Sequence, residues 1–181
     1  MDESLDESVW LLRFHCGADD AVLAELHALA PSLVLCRALE GHEVYAYADS
    51  EREVCSLMSH PLTASAESTR LRVTLRLDGA SKGQVAAWRY VVETDVLSEA
   101  EADLNAWYDH EHLPGLAAVP GTVRAQRLLN EQGHPRYHAC YDLVTLETFG
   151  SPAWLAVRAT AWSSRVRPSF RNTRRTMFRR I

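Results

Sequence analysis

Apolar and polar residues alternate in short runs along the first half of the chain, which is the pattern of half-buried β-strands. The runs at 9–15 (VWLLRFH) and 70–77 (RLRVTLRL) open and close this half. Between them, the spacing of apolar residues predicts a helix over about 19–30, a hairpin that turns at Gly41, and a second helix over about 50–60. The first half therefore predicts the order β-α-β-β-α-β.

The second half repeats this plan. AWRYVVETD at 87–95 predicts a strand, and TVRAQRLL with RYHACYDLV predicts a hairpin. Ser98 and Glu101 have the spacing of a capping box, which predicts that a helix starts there. Ser151 followed by Pro152 predicts the start of a last helix. The chain thus consists of two copies of one supersecondary unit.

The two copies predict an α+β fold. We expect an N-terminal ferredoxin-like unit over 1–78, a linker over 79–85 and a C-terminal ferredoxin-like unit over 86–181, because the joining segment is short, polar and contains glycine. Each unit has an open sheet whose bare face must be covered, and packing the two sheets together forms a pseudo-dimeric α+β barrel. This arrangement predicts a ligand cavity inside the barrel. A homodimer in which exposed sheet edges pair is a further alternative.

Composition agrees with a soluble globular protein. The chain has 181 residues, of which 47% are hydrophobic and 24% are charged. No stretch reaches the roughly 20 apolar residues of a membrane span, and the acidic start MDESLDES differs from a secretory signal. We therefore expect a cytoplasmic protein without a membrane partner. The four cysteines are far apart, which predicts reduced thiols rather than disulfides or a thiolate metal site.

Positive charge is concentrated at the C-terminus. Residues 151–181 contain eight arginines and no acidic residue, although the formal net charge of the chain is −5. This segment is interpreted as a basic C-terminal tail, either solvated or docked on the acidic body of the protein. Because no aromatic RNA-binding motif or zinc finger accompanies it, we expect no nucleic-acid partner.

The segment WYDHEHLPGLAAVPG at 107–121 concentrates the candidate chemistry of the chain. If the helix runs regularly to about residue 113 and Pro114 ends it, Glu111 shares a face with apolar residues and His112 lies at the margin of that face. An acid and an imidazole next to apolar surface are suited to shifted pKa values and to general acid–base catalysis. The alternatives are structural: the imidazole caps the helix C-terminus, or the acid pairs with an arginine of the hairpin.

Neighbouring residues extend this candidate site. Trp107 and Tyr108 lie on the same helical face as the acid, and Tyr108 is a candidate donor to a developing oxyanion. His110 is a candidate to orient His112. Residues two apart on a helix point about 160° apart, so these two histidines cannot chelate one metal ion. We therefore predict no metal site.

Strand residues supply candidates for substrate binding. Four aromatic residues would hold a flat ligand, although such sets also occur as plain core. They are Trp88, Tyr90, Tyr137 and Tyr141. Arg124 and His138 are further candidates, because the pattern does not decide which strand face looks into the barrel. His15, at the end of the first strand, is a candidate from the other sheet, with a polar residue at the sheet edge as the alternative.

The order W-Y-x-x-E-H-L-P-x-L-x-x-V-P-G is followed by an arginine-bearing strand, the strand G-x-P-R-Y-x-x-x-Y-x-L and an S-P-A-W helix. Over about residues 88–165, these motifs resemble the EthD-like branch of the dimeric α+β barrel superfamily. The resemblance implies paired ferredoxin-like sheets and a small apolar or aromatic ligand. Glu111 and His112 match its E-H-L-P element. Members of the superfamily include cofactor-free monooxygenases, lactone isomerases, decarboxylases, dehydratases and haem-dependent enzymes, so the resemblance predicts the fold better than the reaction.

These observations support one hypothesis and two rivals. The hypothesis is a cofactor-independent enzyme in which His112 is the general acid or base, Glu111 or His110 orients it, and Tyr108 stabilises an oxyanion. Its substrate is a small apolar carbonyl or aromatic compound, and the reaction is an isomerisation, dehydration, decarboxylation or cyclisation. The rivals are a monooxygenase of the same superfamily, with or without haem, and a ligand-binding module without chemistry. The sequence contains no nucleotide-binding glycine motif, GxSxG or HExxH, which argues against nucleotide-driven chemistry, serine hydrolysis and zinc proteolysis.

Overall fold

The computed structural model describes residues 7–14, 20–59, 61–63 and 66–181. The described strands are β1 (Ser8–Phe14), β2 (Val34–Ala38), β3 (Val44–Ala48), β4 (Glu67–Asp78), β5 (Trp88–Val96), β6 (Thr122–Leu129), β7 (Tyr137–Leu143) and β8 (Phe170–Arg180). The described helices are α1 (Asp20–Leu29), α2 (Glu51–Met58), α3 (Glu101–Trp107), a π-helical turn (Tyr108–His112), α4 (Leu113–Ala117), α5 (Pro152–Arg158) and α6 (Ala161–Val166). None of these described helices is both long and apolar enough to cross a membrane.

The strands form one closed antiparallel barrel in the order β1-β3-β2-β8-β5-β7-β6-β4. Each half of the chain contributes four neighbouring strands in the ferredoxin-like order. The two halves join through the pairs β2–β8 and β4–β6. The predicted fold, two ferredoxin-like units whose sheets pack into a pseudo-dimeric α+β barrel, is therefore confirmed. The unit boundary at 79–85 stays a proposal; it falls between β4 and β5.

Closure leaves no unpaired strand edge in the described barrel, since each strand has a neighbour on both sides. The second half of the chain covers the edges that a second copy would otherwise cover. Pairing of two chains through exposed sheet edges therefore has no support in the described structure. A homodimer as such stays a prediction.

The arginine-rich C-terminal segment is not a tail, which corrects the interpretation from the sequence. Residues 151–181 form α5, α6 and β8, and β8 lies between β2 and β5 in the barrel. Its register pairs Arg180 with Cys36 and Thr176 with Val91. The strand has arginines on both faces, which hides its alternation in the sequence. Such a strand is tolerated because a long arginine stem packs on the sheet while its charged head reaches solvent.

Side chains fill the interior of the barrel. An apolar cluster that includes Phe178 occupies it. Two ion pairs lie beside this cluster: Arg89 with Asp142, at N–O distances of 2.7 and 3.0 Å, and Arg13 with Glu93, at 2.7 Å. The prediction of a ligand cavity inside the barrel is therefore wrong. A barrel of about eight strands is just wide enough for side chains to fill.

Helices cover the outer faces of the barrel. In the first half they bury an aliphatic core that includes Leu23 and Leu35. In the second half they bury an aromatic core built around Trp107, Tyr141 and Trp154. The candidate site lies in this second core, between the helices and the outer face of the sheet.

Candidate functional site

The helix predicted to run regularly to about residue 113 is divided by a π turn. α3 ends at Trp107, and the N–H of Leu113 then donates to the carbonyl of Tyr108, five residues earlier. α4 continues through Pro114. The predicted stop before the proline is therefore wrong. A proline lacks the N–H and its ring crowds the preceding turn, and a turn widened by one residue gives the ring room.

The predicted capping box at the start of this helix does not form. Ser98 donates to Glu99 instead. Glu101 forms an ion pair with Arg136, at 3.1 Å, and accepts a hydrogen bond from the hydroxyl of Tyr137. This acid therefore joins the start of α3 to the β6–β7 hairpin rather than closing the helix end.

The π turn decides which side chains meet. Residues five apart on a regular α-helix point about 140° apart. Here Trp107 and His112 stack face to face, with ring centroids 4.0 Å apart and planes inclined by 19°. Tyr108 meets the same imidazole edge-on, at a centroid distance of 5.2 Å. Arg127 packs on Tyr108, with its guanidinium 4.4 Å from the ring centre. The imidazole is consequently held by aromatic rings and is only 8% exposed.

A cavity of about 30 Å³ lies beside these rings. It has room for about two water molecules, so a larger ligand must displace side chains at its open side. Its aromatic lining consists of Tyr90, Trp107, Tyr108, Tyr141, Trp154 and Phe170. His112 and three arginines, Arg158, Arg167 and Arg175, join them. The cavity therefore combines apolar rings, one imidazole and positive charge.

Three lining side chains carry buried polar atoms without a hydrogen-bond partner among the described residues. They are Nδ1 of His112, Oη of Tyr141 and Nε1 of Trp154. An unpaired buried polar group costs about 1–3 kcal/mol. The three side chains belong to the cavity lining, and a ligand whose polar groups reach these atoms would remove that penalty.

The environment of His112 keeps it neutral. Burial lowers the pKa of the imidazole to about 3, and the positive charges of Arg158 and Arg167 act in the same direction. Burial also raises the pKa of Tyr108 to about 12. At neutral pH the site therefore presents an unprotonated imidazole beside a protonated phenol. The first is a proton acceptor and the second is a hydrogen-bond donor.

No hydrogen bond joins His112 to Glu111 or His110 in the described structure. The carboxylate of Glu111 accepts hydrogen bonds from Nε1 of Trp107, at 3.0 Å, and from Oγ1 of Thr160, at 2.6 Å. His110 is exposed and lies outside the cavity lining. These contacts correct the prediction that either residue orients the imidazole directly, because the π turn directs both side chains elsewhere. Glu111 instead holds the indole on which the imidazole stacks.

The other predicted aromatic residues divide between cavity and core. Tyr90 and Tyr141 of the aromatic set line the cavity, and so does Trp107, which is a separate candidate for substrate binding on the helix. Trp88 packs half-buried on the aromatic core, outside the lining. Tyr137 is buried in that core and hydrogen-bonds to α3. The structure therefore brings only part of the aromatic set to the candidate site.

The remaining polar candidates lie away from the cavity. His138 is fully buried inside the barrel, with Nε2 3.1 Å from the carbonyl oxygen of Pro135 and Nδ1 3.6 Å from Glu93. Strand alternation puts it on the face opposite to the cavity. Arg124 is exposed on β6. His15 lies outside the described residues.

Sequence reasoning misses the basic part of the lining. Arg158, Arg167 and Arg175 come from α5, from the turn after α6 and from β8, so they converge only in the folded chain. It also misses Trp154 and Phe170 as lining residues. The available signal is the lack of any acidic residue after 150, which leaves these arginines without local partners.

The described residues give little support for a metal or haem. They contain no group of three or more His, Cys, Asp or Glu side chains that could hold a metal ion. Among the described lining residues, His112 is the only imidazole, and Trp107 covers one of its faces. A single imidazole can ligate a haem iron through a ring nitrogen, so haem stays open as a cofactor of the monooxygenase alternative, and no chemical step is assigned to it.

No protein-family model and no curated protein matches the sequence. Solved structures nevertheless share the fold over nearly the whole chain. A candidate monooxygenase of Fusobacterium nucleatum is similar with a TM-score of 0.70 and 8% identity, over 97% of this chain and 93% of that chain. A chlorite dismutase of Candidatus Nitrospira defluvii is similar with a TM-score of 0.62 and 11% identity, over 97% of this chain and 92% of that chain.

A haem-degrading enzyme of Listeria monocytogenes is similar with a TM-score of 0.58 and 12% identity, over 96% of this chain and 99% of that chain. At these identities the similarity shows the fold alone. In this chain both halves of the barrel belong to one polypeptide. The finer resemblance to the EthD-like branch stays a prediction.

Proposed function

We propose that the protein is a cofactor-independent acid–base enzyme that acts on a small apolar carbonyl or aromatic compound in the cavity around His112. The observation that carries the proposal is the state of the imidazole. It is buried and unprotonated at neutral pH, and its Nδ1 has no partner within the described structure. Buried side-chain polar atoms in a core are normally hydrogen-bonded. An unprotonated imidazole beside a cavity has a lone pair that can accept a proton from a ligand once negative charge on that ligand raises the pKa of the imidazole.

The proposed reaction starts with transfer of a proton from a carbon next to the ligand carbonyl to the unprotonated nitrogen of His112. The electron pair of the broken C–H bond forms a C=C bond, and the carbonyl oxygen becomes an enolate oxygen. Tyr108, which stays protonated because its pKa is raised, donates a hydrogen bond to that oxygen. In a β,γ-unsaturated ketone the enolate is a dienolate, and return of the proton to its γ-carbon moves the double bond and completes an isomerisation. Its delivery to a departing hydroxyl group completes a dehydration.

A monooxygenase is the second candidate function. Its support is the fold shared with the candidate monooxygenase of Fusobacterium nucleatum, together with an aromatic lining suited to an electron-rich ring. Turnover by a monooxygenase consumes dissolved oxygen, whereas the acid–base reaction does not. Oxygen uptake therefore distinguishes the two functions with the same protein and the same substrate.

Hydrogen exchange tests the proposed function directly. Phenylacetone and phenylpyruvate are incubated with the protein in D₂O, and NMR follows the loss of the methylene signal next to the carbonyl. We expect exchange above the rate in buffer, and we expect His112→Gln to lower the enzymatic rate by about 100-fold or more. The matched control is His110→Gln, two residues away and exposed, which should exchange at the wild-type rate.

Two results would contradict the acid–base proposal. One is an equal exchange rate for the wild type and His112→Gln at unchanged Tm. The other is exchange no faster than in buffer with either ketone. Oxygen uptake that depends on an aromatic substrate would favour the monooxygenase instead.

A further inference from the structure

Three arginines from separate elements line the cavity that contains His112. Arg158 is the last residue of α5, Arg167 follows α6, and Arg175 lies in β8. They meet because α5 and α6 pack on the outer face of the barrel to which β8 belongs. Arg167 and Arg175 are exposed and Arg158 is half-buried, so the three positive charges lie on the solvent-facing side of the cavity that contains the single imidazole.

None of these three arginines has an acidic partner within the described part of the chain. In contrast, Arg165 forms a bidentate pair with Asp103 at 2.9 and 3.0 Å, two residues away from Arg167. The three charges also repel each other: burial, Arg158 and Arg175 together lower the pKa of Arg167. Like charges gathered without a counterion are stabilised when an anion binds among them.

The rest of the lining suits a flat ring that carries acceptor oxygens. Tyr90 and Trp154 pack edge to face, with centroids 6.1 Å apart, and Phe170 extends this aromatic surface. Such walls bind rings by stacking and edge contacts. The buried atoms without partners include Oη of Tyr141 and Nε1 of Trp154. Both carry a hydrogen that can be donated, so they favour a ligand oxygen.

We propose that the ligand of this cavity is a small aromatic carboxylate that also carries the reacting ketone, and that its carboxylate group binds Arg158, Arg167 and Arg175 while its ring lies against the aromatic lining. This assignment names the substrate class of the proposed function and rests on it for the identity of the reaction site. A planar guanidinium fork matches the two oxygens of a carboxylate. The free volume of about 30 Å³ is smaller than such a ligand, so its binding requires that lining side chains move.

Carboxylate binding also makes His112 a stronger base. Burial is the main reason for its low pKa, and the charges of Arg158 and Arg167 add to it. A carboxylate held by these arginines offsets their charge, so the pKa of His112 rises when the ligand is bound. The arginines thereby couple recognition of the substrate to activation of the base.

Binding of two small probes to the full chain tests this assignment without turnover. Benzoate and benzamide have nearly the same shape and differ in charge, and titration calorimetry or NMR measures their affinities. We expect benzoate to bind about tenfold more tightly or better. Arg158→Gln and Arg175→Gln should each lower the affinity for benzoate by about fivefold or more and leave the affinity for benzamide unchanged. The matched control Arg179→Gln, exposed on β8 but outside the cavity, should bind benzoate like the wild type.

Several results would overturn the assignment. These are equal affinity for benzoate and benzamide, no benzoate binding at about 10 mM, or full benzoate affinity in both arginine variants at unchanged Tm. Acetate or inorganic phosphate binding as tightly as benzoate would mean an adventitious anion only. Tighter binding of phenyl phosphate than of benzoate would replace the carboxylate with a phosphate ester.

The two proposals fail in distinguishable ways. If His112→Gln exchanged the ketone hydrogens at the wild-type rate, the proposed function would be contradicted. The measured affinity for benzoate would be unaffected by that result. If the wild type bound benzoate and benzamide equally but still catalysed ketone exchange, only the carboxylate assignment would be overturned.

Discussion

The indole of Trp107 and the imidazole of His112 lie face to face at 4.0 Å because a π turn brings residues five apart onto one side of the helix. Glu111 holds the indole by accepting a hydrogen bond from Nε1, and Thr160 donates to the same carboxylate oxygen. Trp107 is 1% exposed, so protein atoms surround its ring except where it lines the cavity. The candidate base is therefore oriented by an aromatic ring rather than by an acid hydrogen-bonded to it.

Replacement of Glu111 should affect both the fold and the site. The carboxylate carries two hydrogen bonds and is partly exposed. We expect Glu111→Ala to lower the free energy of unfolding by about 1–3 kcal/mol and to slow ketone exchange, because Trp107 loses its anchor. Glu111→Gln keeps an acceptor oxygen and should retain most of both properties. Urea unfolding and the exchange assay measure the two effects, and wild-type values for Glu111→Ala would show that Glu111 does not anchor the indole.

Acid should destabilise the protein through its buried histidines. The pKa of His112 falls from 6.5 to about 3 on folding, mainly through burial. Between these values the unfolded chain takes up a proton that the folded chain does not, so the free energy of unfolding decreases as the pH falls from 6.5 towards 3. His138, whose burial lowers its pKa to about 4, adds an effect of the same sign.

The variant His112→Gln isolates the contribution of one histidine. Urea unfolding at pH 7, 6 and 5 should show a shallower loss of stability for the variant than for the wild type. The difference should approach about 1.4 kcal/mol per pH unit, the limit for one proton. Parallel pH profiles for the two proteins would mean that His112 takes up no proton on unfolding in this range.

The ion pair inside the barrel should be costly to break from one side. Arg89 and Asp142 form two hydrogen bonds of 2.7 and 3.0 Å, and both side chains are 5% exposed. We expect Asp142→Asn to lower the free energy of unfolding by about 3–5 kcal/mol, because it leaves a buried guanidinium uncompensated. The double replacement Arg89→Met with Asp142→Leu should recover most of this loss. Chemical unfolding measures the free energy of unfolding of each variant. A double variant that is less stable than either single variant would contradict the explanation.

Gly121 should tolerate alanine less well than another glycine with a similar backbone. Its φ is +96°, and an added Cβ would overlap Oγ1 of Thr148. Gly83 has a φ of +87° and nothing within 4 Å of an added Cβ, so Gly83→Ala measures the backbone strain alone. We expect Gly83→Ala to cost about 1 kcal/mol or more and Gly121→Ala to cost clearly more, as measured by thermal or urea unfolding. Equal losses in the two variants would show that the contact with Thr148 is unimportant.

Local patterns in the sequence are enough to predict most elements and their order. The alternating run at 70–77 lies within β4, and Ser151 caps α5 by accepting a hydrogen bond from the N–H of Trp154 at 3.3 Å. Periods of two and of 3.6 residues depend only on neighbours along the chain. The alternation of apolar and polar residues does not reveal β8, because arginines occupy both of its faces.

The candidate site is predicted in part. The segment at 107–121 marks the helix that carries His112, Tyr108 and Trp107, and all three side chains line the cavity. A helical wheel misplaces Glu111, since it assumes regular turns and the chain instead widens one turn before Pro114. The acid therefore contacts the indole and not the imidazole.

By itself, the sequence determines the duplicated β-α-β-β-α-β plan and the segment that carries the imidazole, because both depend on the spacing of residues that are near each other along the chain. Only the tertiary structure decides that the barrel closes within one chain, that its interior is filled, and that the cavity lies on the helix side of the second sheet. Alternation shows that a strand has two faces but not which element covers each face. For the same reason, the meeting of Arg158, Arg167 and Arg175 beside His112 follows from packing between elements that are distant in the sequence.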